Sequence, residues 1–194
     1  MIHYIEHWIG YLWLALLVVW LVAAAGSKRT VQRQRGSSRL LHVGLMFLGI
    51  VLVFNLYHWF DGGWLATPIV PHEDPYVLGG FIVTVCGIFF AVWARMILGS
   101  NWSGSVTLKE NHELVRRGPY RIVRHPIYTG LLLALFGTAF VYGAVRGFVG
   151  LLICGLAFWI KSRTEEQFMV QQFGDKYLQY RREVRAGLVQ GKDQ

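Results

Sequence analysis

A series of long apolar segments restricts how this chain can fold more than any other feature. Stretches of about 20 apolar residues can cross the hydrocarbon core of a bilayer, where a single continuous segment satisfies its backbone hydrogen bonds as a helix. The sequence therefore predicts an all-α integral membrane protein with about five transmembrane helices. The apolar segments cover approximately residues 8–25, 40–60, 77–98, 126–142 and 148–160.

Composition and charge agree with a membrane protein. Of the 194 residues, 54% are hydrophobic, and the mean hydropathy is +0.40. The net charge of +8 comes from basic clusters between and after the apolar segments, which the positive-inside rule explains without a nucleic-acid partner. Cys86 and Cys154 lie within apolar segments, so we expect buried thiols and no metal site or disulfide framework.

The distribution of charge between the segments predicts their orientation. Basic residues follow the first segment instead of preceding it, so we expect an uncleaved span with its N-terminus outside the cytoplasm. The connection 61–76 contains acidic residues but no Lys or Arg and is predicted to lie outside. The basic stretch 99–124 is then cytoplasmic, as is the C-terminus. The basic residues after the first segment are Lys28, Arg29, Arg33, Arg35 and Arg39.

The last two apolar segments are short and are separated by residues 143–147, which include two glycines. This pattern predicts a helical hairpin. From Lys161 onward the chain becomes charged but remains helix-like, with a predicted stop at Gly174 and a further helix from Asp175 to about Arg185. We expect this helical C-terminal tail to lie in the cytoplasm.

Residues 111–130 place cations, imidazoles and phenols immediately before and at the start of the fourth apolar segment. Pro126 suits the first turn of a helix, and the free amides of that turn favour an anionic group. The alternative is interfacial anchoring, in which arginine and tyrosine side chains only hold the helix at the membrane surface.

A second polar group follows the last apolar segment, where Arg163 precedes the adjacent carboxylates Glu165 and Glu166. Adjacent helical side chains diverge by about 100°, so the two carboxylates are predicted to meet different partners. One of them can bind a ligand's ammonium group while the other pairs with Arg163 or with the 117–124 arginine cluster. The alternative is a solvated helix face.

A haem or metal site is a third possibility, because the first two segments contain histidines. These side chains fall at opposite ends of the predicted spans and would not converge on one ion, so no metal site is expected. The histidines are His3, His7, His42 and His58.

Taken together, an ordered set of motifs between about Gly99 and Leu188 resembles the isoprenylcysteine carboxyl methyltransferase family, including its related bacterial and phospholipid methyltransferase branches. The motifs are His112-x-Leu114-Val115, Gly118-x-Tyr120, Arg124-His125-Pro126-x-Tyr128-x-Gly130, Arg163-x-Glu165-Glu166 and Phe173-Gly174-x-x-Tyr177-x-x-Tyr180. The resemblance covers about half of the chain, and the first spans match only in general character.

Length and the apolar segments predict one membrane domain over residues 1–194 with three spans in 1–98, and the resemblance implies that 99–194 is the cofactor-binding and catalytic half. It implies S-adenosyl-L-methionine as cofactor and Arg124 and Arg163 as the residues that orient the methyl acceptor. Glu165 or Glu166 would hold the amino group of the cofactor. The remaining cofactor-binding residues carried over are His112, Leu114, Val115, Gly118, Tyr120, His125, Pro126 and Tyr128.

The implied reaction is carboxyl O-methylation of an isoprenylcysteine-like, amphiphilic substrate at the cytoplasmic face of the bilayer. Methyl transfer gains mainly from positioning and electrostatics, and a carboxylate acceptor is already ionised at neutral pH. The absence of an obvious general base is therefore compatible with the reaction. No obligate protein partner is evident. A phospholipid or thiol acceptor and a non-enzymatic membrane scaffold are the alternatives.

Overall fold

The computed structural model describes residues 2–25, 30–33, 36–56, 58–99, 102, 107–109 and 114–186. Within these ranges the chain forms six α-helices and one two-stranded antiparallel sheet. The helices are α1 (Ile2–Ala25), α2 (Gly36–Phe54), α3 (Asp74–Leu98), α4 (Pro126–Tyr142), α5 (Val145–Phe173) and α6 (Asp175–Glu183). The strands are β1 (Thr30–Arg33) and β2 (Thr107–Lys109), and two 3₁₀-helices cover Trp64–Ala66 and Gly118–Arg121.

The small sheet is a departure from the predicted all-α architecture. Strand β1 lies in the connection between α1 and α2, and it pairs with β2 in the connection after α3. The strands are separated by more than 70 residues in the chain, so their pairing depends on the arrangement of the helices between them.

Three of the described helices are long and apolar enough to cross a membrane, namely Tyr4–Ala24, Asp74–Leu98 and Val145–Phe173. The segments Leu40–Phe54 and Pro126–Tyr142 are shorter apolar helices. The chain is therefore an integral, multi-pass helical membrane protein. The count of five spans and the cytoplasmic position of the tail stay predictions.

The second apolar segment leaves its helix earlier than predicted, at Phe54 and not at Phe60. Asn55 has a positive φ of 48°, and its side-chain oxygen accepts the backbone N–H of Phe60 at 3.3 Å. The amide of Asn55 also donates to the carboxylate of Asp61. The short polar side chain thus turns the backbone by competing for local hydrogen bonds, as Asn commonly does.

The predicted hairpin between the last two apolar segments is present, although its turn is shorter than expected. Gly143 ends α4 in the left-handed region, with φ 67°, and α5 already begins at Val145. The carbonyl of Gly143 accepts the backbone N–H groups of Ile69 at 2.8 Å and Val70 at 3.1 Å. The connection between α2 and α3 therefore covers this turn. The predicted stop at Gly174 is confirmed, since that residue separates α5 from α6.

Among the described helices, α3 and α4 form the most extensive contact, and glycines allow their backbones to approach each other. A Cβ added at Gly137 would lie 2.5 Å from the backbone nitrogen of Thr84, and one added at Gly80 would lie 2.8 Å from the carbonyl oxygen of Gly137. Small residues at such an interface let membrane helices gain van der Waals contact and interhelical hydrogen bonds. Trp13 adds one such bond from α1, donating through Nε1 to Thr138 Oγ1 at 3.0 Å.

Replacing Gly80 with leucine should destabilise the protein by about 1–3 kcal/mol, because overpacking a tight interface forces the backbones apart. The adjacent Gly79 is a matched control, since an added Cβ there meets nothing within 4 Å. Thermal unfolding in detergent should therefore distinguish Gly80→Leu from Gly79→Leu. Equal transition temperatures for the two variants would contradict the observed α3–α4 packing.

Arg95 joins the C-terminal ends of α1 and α3. Its guanidinium donates through Nη1 to the carbonyl of Gly99 at 2.8 Å and through Nη2 to the carbonyl of Ala23 at 2.5 Å. The guanidinium also lies over the ring of Trp102, 4.5 Å from its centre. A positive charge near the C-termini of two helices is favourable. The buried side chain of Arg95 therefore fixes the C-terminal end of α3 against α1.

Candidate active site

The polar residues of the second half of the chain assemble where the segment before α4, the C-terminal part of α5 and helix α6 meet. The approach to α4 is the 3₁₀-helix Gly118–Arg121, which begins at Gly118 with φ 58°. Pro126 then forms the first turn of α4, as predicted, and is fully buried. These two residues direct Tyr120 and His125 toward the end of α5.

Arg124 is the central connection between the three elements. Its Nε donates to Glu166 Oε1 at 2.9 Å, and Nη1 donates to the carbonyls of Arg181 at 2.9 Å and Val184 at 2.8 Å. The side chains of Arg124 and Glu166 are only 3% and 7% exposed. A buried charge needs both a counter-ion and hydrogen bonds, and Arg124 has both.

His125 lies between the two adjacent glutamates. Its Nε2 is 3.2 Å from Glu166 Oε1, and its Nδ1 is 3.7 Å from Glu165 Oε2. The imidazole stacks on Tyr128, with ring centres 5.6 Å apart, and Tyr128 in turn stacks on Phe158 at 4.7 Å. Three rings therefore form a continuous wall from the polar residues into the apolar part of the helices.

The two carboxylates have different environments, as their divergence around α5 predicts. Glu166 pairs with Arg124, whereas Glu165 accepts a hydrogen bond of 2.5 Å from the hydroxyl of Tyr128. Glu165 is also the more accessible, with 25% of its side chain exposed. Within the described part of the chain, no lysine or arginine forms an ion pair with Glu165. Glu165 is therefore the carboxylate with capacity for an additional cation.

The other predicted residues occupy different positions around this network. Arg163 is exposed, with its guanidinium 5.6 Å from the ring centre of Trp159, whereas Arg124 is buried. Val115 packs against the buried cluster that contains Tyr120 and Ile127. Leu114 is half-buried, and His112 lies outside the described residues.

Helix α6 supplies contacts to which the sequence assigned no role. The hydroxyl of Tyr180 donates to the carbonyl of Tyr120 at 2.6 Å, and Arg116 forms an ion pair with Glu183. Burial raises the pKa of Tyr180 to about 12, although the positive charge of Arg124 opposes the shift. In the sequence, the one-turn spacing of Tyr177 and Tyr180 could have indicated that α6 contacts the site, because it places both rings on the same buried face of the helix.

The backbone after α6 closes the same region. The N–H of Arg124 donates to the carbonyl of Arg185 at 2.7 Å, and the N–H of His125 donates to the carbonyl of Ala186 at 3.2 Å. These bonds satisfy backbone groups that precede the first turn of α4. The C-terminal segment is thus part of the site's framework and holds α6 against α4 and α5.

This arrangement has the groups needed to bind a ligand that carries an ammonium group and an aromatic or cationic portion. Glu165 offers a carboxylate, and the rings of His125 and Tyr128 offer faces for stacking or for cation–π contact. Among the residues that the structure describes, no three His, Cys, Asp or Glu side chains come together in a way that could hold a metal ion.

Comparison with protein families gives a match to the phospholipid methyltransferase model over residues 76–176. Similar curated proteins include protein-S-isoprenylcysteine O-methyltransferases. The Schizosaccharomyces pombe protein is 38% identical over 101 residues, which cover 49% of this chain and 42% of that protein. The Xenopus laevis protein is 30% identical over 112 residues, 56% of this chain and 39% of that protein. The match thus spans less than half the length of each of these two relatives.

A solved structure is also similar in fold. The eukaryotic intramembrane Ras methyltransferase ICMT, an isoprenylcysteine carboxyl methyltransferase, aligns with a TM-score of 0.51 at 20% sequence identity. The alignment covers 81% of this chain and 54% of that chain. At this level of identity the likeness supports the helical membrane fold, and it extends beyond the region matched by the family model.

Proposed function

Because the chain belongs to the phospholipid methyltransferase family, we propose that it is an S-adenosyl-L-methionine-dependent methyltransferase acting on an amphiphilic substrate at the cytoplasmic face of the membrane. The observation that carries this proposal is that two adjacent carboxylates have different ion-pair partners. Glu166 is neutralised by Arg124, while Glu165 has no lysine or arginine ion pair among the described residues. A site of this kind accepts a ligand's ammonium group, which the amino-acid end of the cofactor carries.

The proposed cofactor site uses residues from both sides of this carboxylate. Glu165 would bind the ammonium group, and Glu166 would hold Arg124 and His125 in place. When bound, the cofactor supplies an electrophilic methyl group on a sulfonium sulfur. The residues proposed to wall the cofactor are His112, Leu114, Val115, Gly118, Tyr120, His125, Pro126 and Tyr128.

The contacts of Arg124 favour a different role from the one that the family resemblance implied. Its Nε and Nη1 already bond to Glu166 and to two backbone carbonyls, so we propose that Arg124 positions α6 and Glu166. Arg163 is exposed beside Trp159 and stays our candidate for orienting an anionic acceptor. A guanidinium binds a carboxylate through charge-assisted hydrogen bonds.

We propose that the acceptor is the carboxylate of an isoprenylcysteine-like molecule, since several similar curated proteins carry the name protein-S-isoprenylcysteine O-methyltransferase. Such a carboxylate is ionised at neutral pH and needs no general base before it attacks the methyl carbon. Its apolar tail would lie among the lipid-facing helices. The family description favours one second candidate, methylation of a phospholipid headgroup amine, which must lose a proton during the reaction.

Chemical stability of the product distinguishes the two acceptors. With methyl-labelled cofactor and a prenylcysteine analogue bearing a free carboxylate, purified protein in lipid should form a labelled methyl ester. Mild base should then release the label as methanol, whereas methylated amines and thioethers retain it. A base-stable product, or transfer only to phospholipid, would contradict carboxyl methylation and leave methyltransferase activity in place.

A further inference from the structure

Four tyrosines lie around the proposed cofactor site. The hydroxyl groups of two of them form hydrogen bonds with described residues, and those of the other two do not. The hydroxyl of Tyr128 donates to Glu165, and that of Tyr180 donates to the carbonyl of Tyr120. The hydroxyls of Tyr120 and Tyr177 form no hydrogen bond with any residue that the structure describes. Tyr120 is already among the predicted cofactor-binding residues, but Tyr177 has no role in the proposed function.

Tyr177 is held firmly in this position. It is only 2% exposed and lies one turn before Tyr180 on the inner face of α6, with the two ring centres 5.9 Å apart. The helix itself is fixed by the hydrogen bonds of Arg124 to the carbonyls of Arg181 and Val184. The ring of Tyr177 is therefore held in place by these contacts, and its hydroxyl has no hydrogen-bond partner among the residues that the structure describes.

The charges around Tyr177 indicate what its hydroxyl can bind. Burial, followed by the negative charge of Glu166, raises the pKa of Tyr177 well above its usual range. The phenol thus stays protonated and is a hydrogen-bond donor. Because this donor has no partner among the described residues, it is available to a ligand oxygen that accepts a hydrogen bond.

We propose that the hydroxyl of Tyr177 donates a hydrogen bond to the carboxylate of the amino-acid end of the cofactor whose ammonium group Glu165 binds. This proposal rests on the proposed function and adds a residue from α6 to the site. The two charged groups of the ligand would then bind to different helices, the ammonium group to α5 and the carboxylate to α6. Helix α6 would accordingly contribute to specificity as well as to the framework.

Two ligands test this assignment, S-adenosylhomocysteine and its decarboxylated counterpart, which retains the ammonium group. Wild-type protein should bind S-adenosylhomocysteine roughly 10-fold or more tightly than the decarboxylated ligand, because a hydrogen bond to a charged group is lost. Tyr177→Phe should remove most of this preference by weakening S-adenosylhomocysteine alone. Calorimetry on the full chain in detergent gives both affinities, and the affinity for the decarboxylated ligand also reports whether the variant's site is folded.

Tyr180→Phe is the matched control, since it removes the other hydroxyl of the same helix face. That hydroxyl bonds to a backbone carbonyl, so the variant should lose thermal stability and keep the wild-type ratio of the two affinities. Equal binding of the two ligands by wild-type protein, or an unchanged ratio in Tyr177→Phe, would overturn the role of Tyr177. If wild-type protein binds neither ligand, the proposed function itself fails.

Discussion

Glu165→Gln should weaken binding of S-adenosylhomocysteine by roughly 10- to 150-fold, while the fold keeps its stability. The substitution replaces a carboxylate with an amide of similar shape, so the ammonium group of the ligand loses a charge-assisted hydrogen bond. The partly exposed Glu165 bonds to the neutral hydroxyl of Tyr128, and that hydroxyl can still donate to the amide oxygen.

Glu166→Gln is the natural comparison, because the two residues are adjacent and the change is chemically identical. Here the amide would face a buried guanidinium, since Glu166 pairs with Arg124. We expect this variant mainly to lower the free energy of unfolding, and any loss of affinity should follow from displacement of His125. Equal effects of the two substitutions on affinity and stability would contradict the different roles of Glu165 and Glu166. Wild-type affinity in both variants would show that neither carboxylate belongs to the binding site.

Arg124→Ala should destabilise the protein by about 3–5 kcal/mol, the range found when one member of a buried ion pair is removed. The substitution leaves the buried Glu166 without its arginine and frees the carbonyls of Arg181 and Val184. Helix α6 should therefore detach before the remaining helices unfold. Chemical unfolding in detergent measures the loss, and protease cleavage within 174–186 reports the detachment of α6.

Arg163→Ala is the matched control for this change, since Arg163 is exposed on α5. We expect a change in unfolding free energy within about 0.5 kcal/mol, together with slower turnover of an anionic acceptor. Arg124→Ala and Arg163→Ala variants of equal stability would show that the buried network does not hold α6. Undiminished turnover in both variants would exclude either arginine from acceptor binding.

The apolar segments and a few special residues were sufficient to predict most of the helices. Pro126, Gly143 and Gly174 mark a helix start or end because their backbone preferences act locally. The same reasoning failed at Asn55, where a side-chain hydrogen bond ends α2 six residues early, although the following residues are still apolar. The pairing of β1 with β2 depends on distant segments and has no local pattern.

For the site, the sequence identified the residue types but not their pairing. The divergence of Glu165 and Glu166 follows from helix geometry, and the pairing of one of them with the 117–124 arginine cluster was foreseen as one alternative. Arg124 and Glu166 are 42 positions apart in the chain, so their pairing depends on how α4 packs beside α5. The same limit applies to Tyr180, whose partner is a backbone carbonyl 60 positions away.

Equilibrium binding of S-adenosylhomocysteine to the purified full chain is the most direct test of the central claim that this membrane protein uses a methyl-donor cofactor. We expect saturable binding to one site per chain, and we expect Glu165→Gln to weaken this binding strongly. Calorimetry or a fluorescence competition assay in detergent or nanodiscs can measure it without knowledge of the acceptor. If folded wild-type protein binds no S-adenosylhomocysteine at high micromolar concentration, the proposed cofactor use is wrong and a non-enzymatic membrane scaffold is favoured.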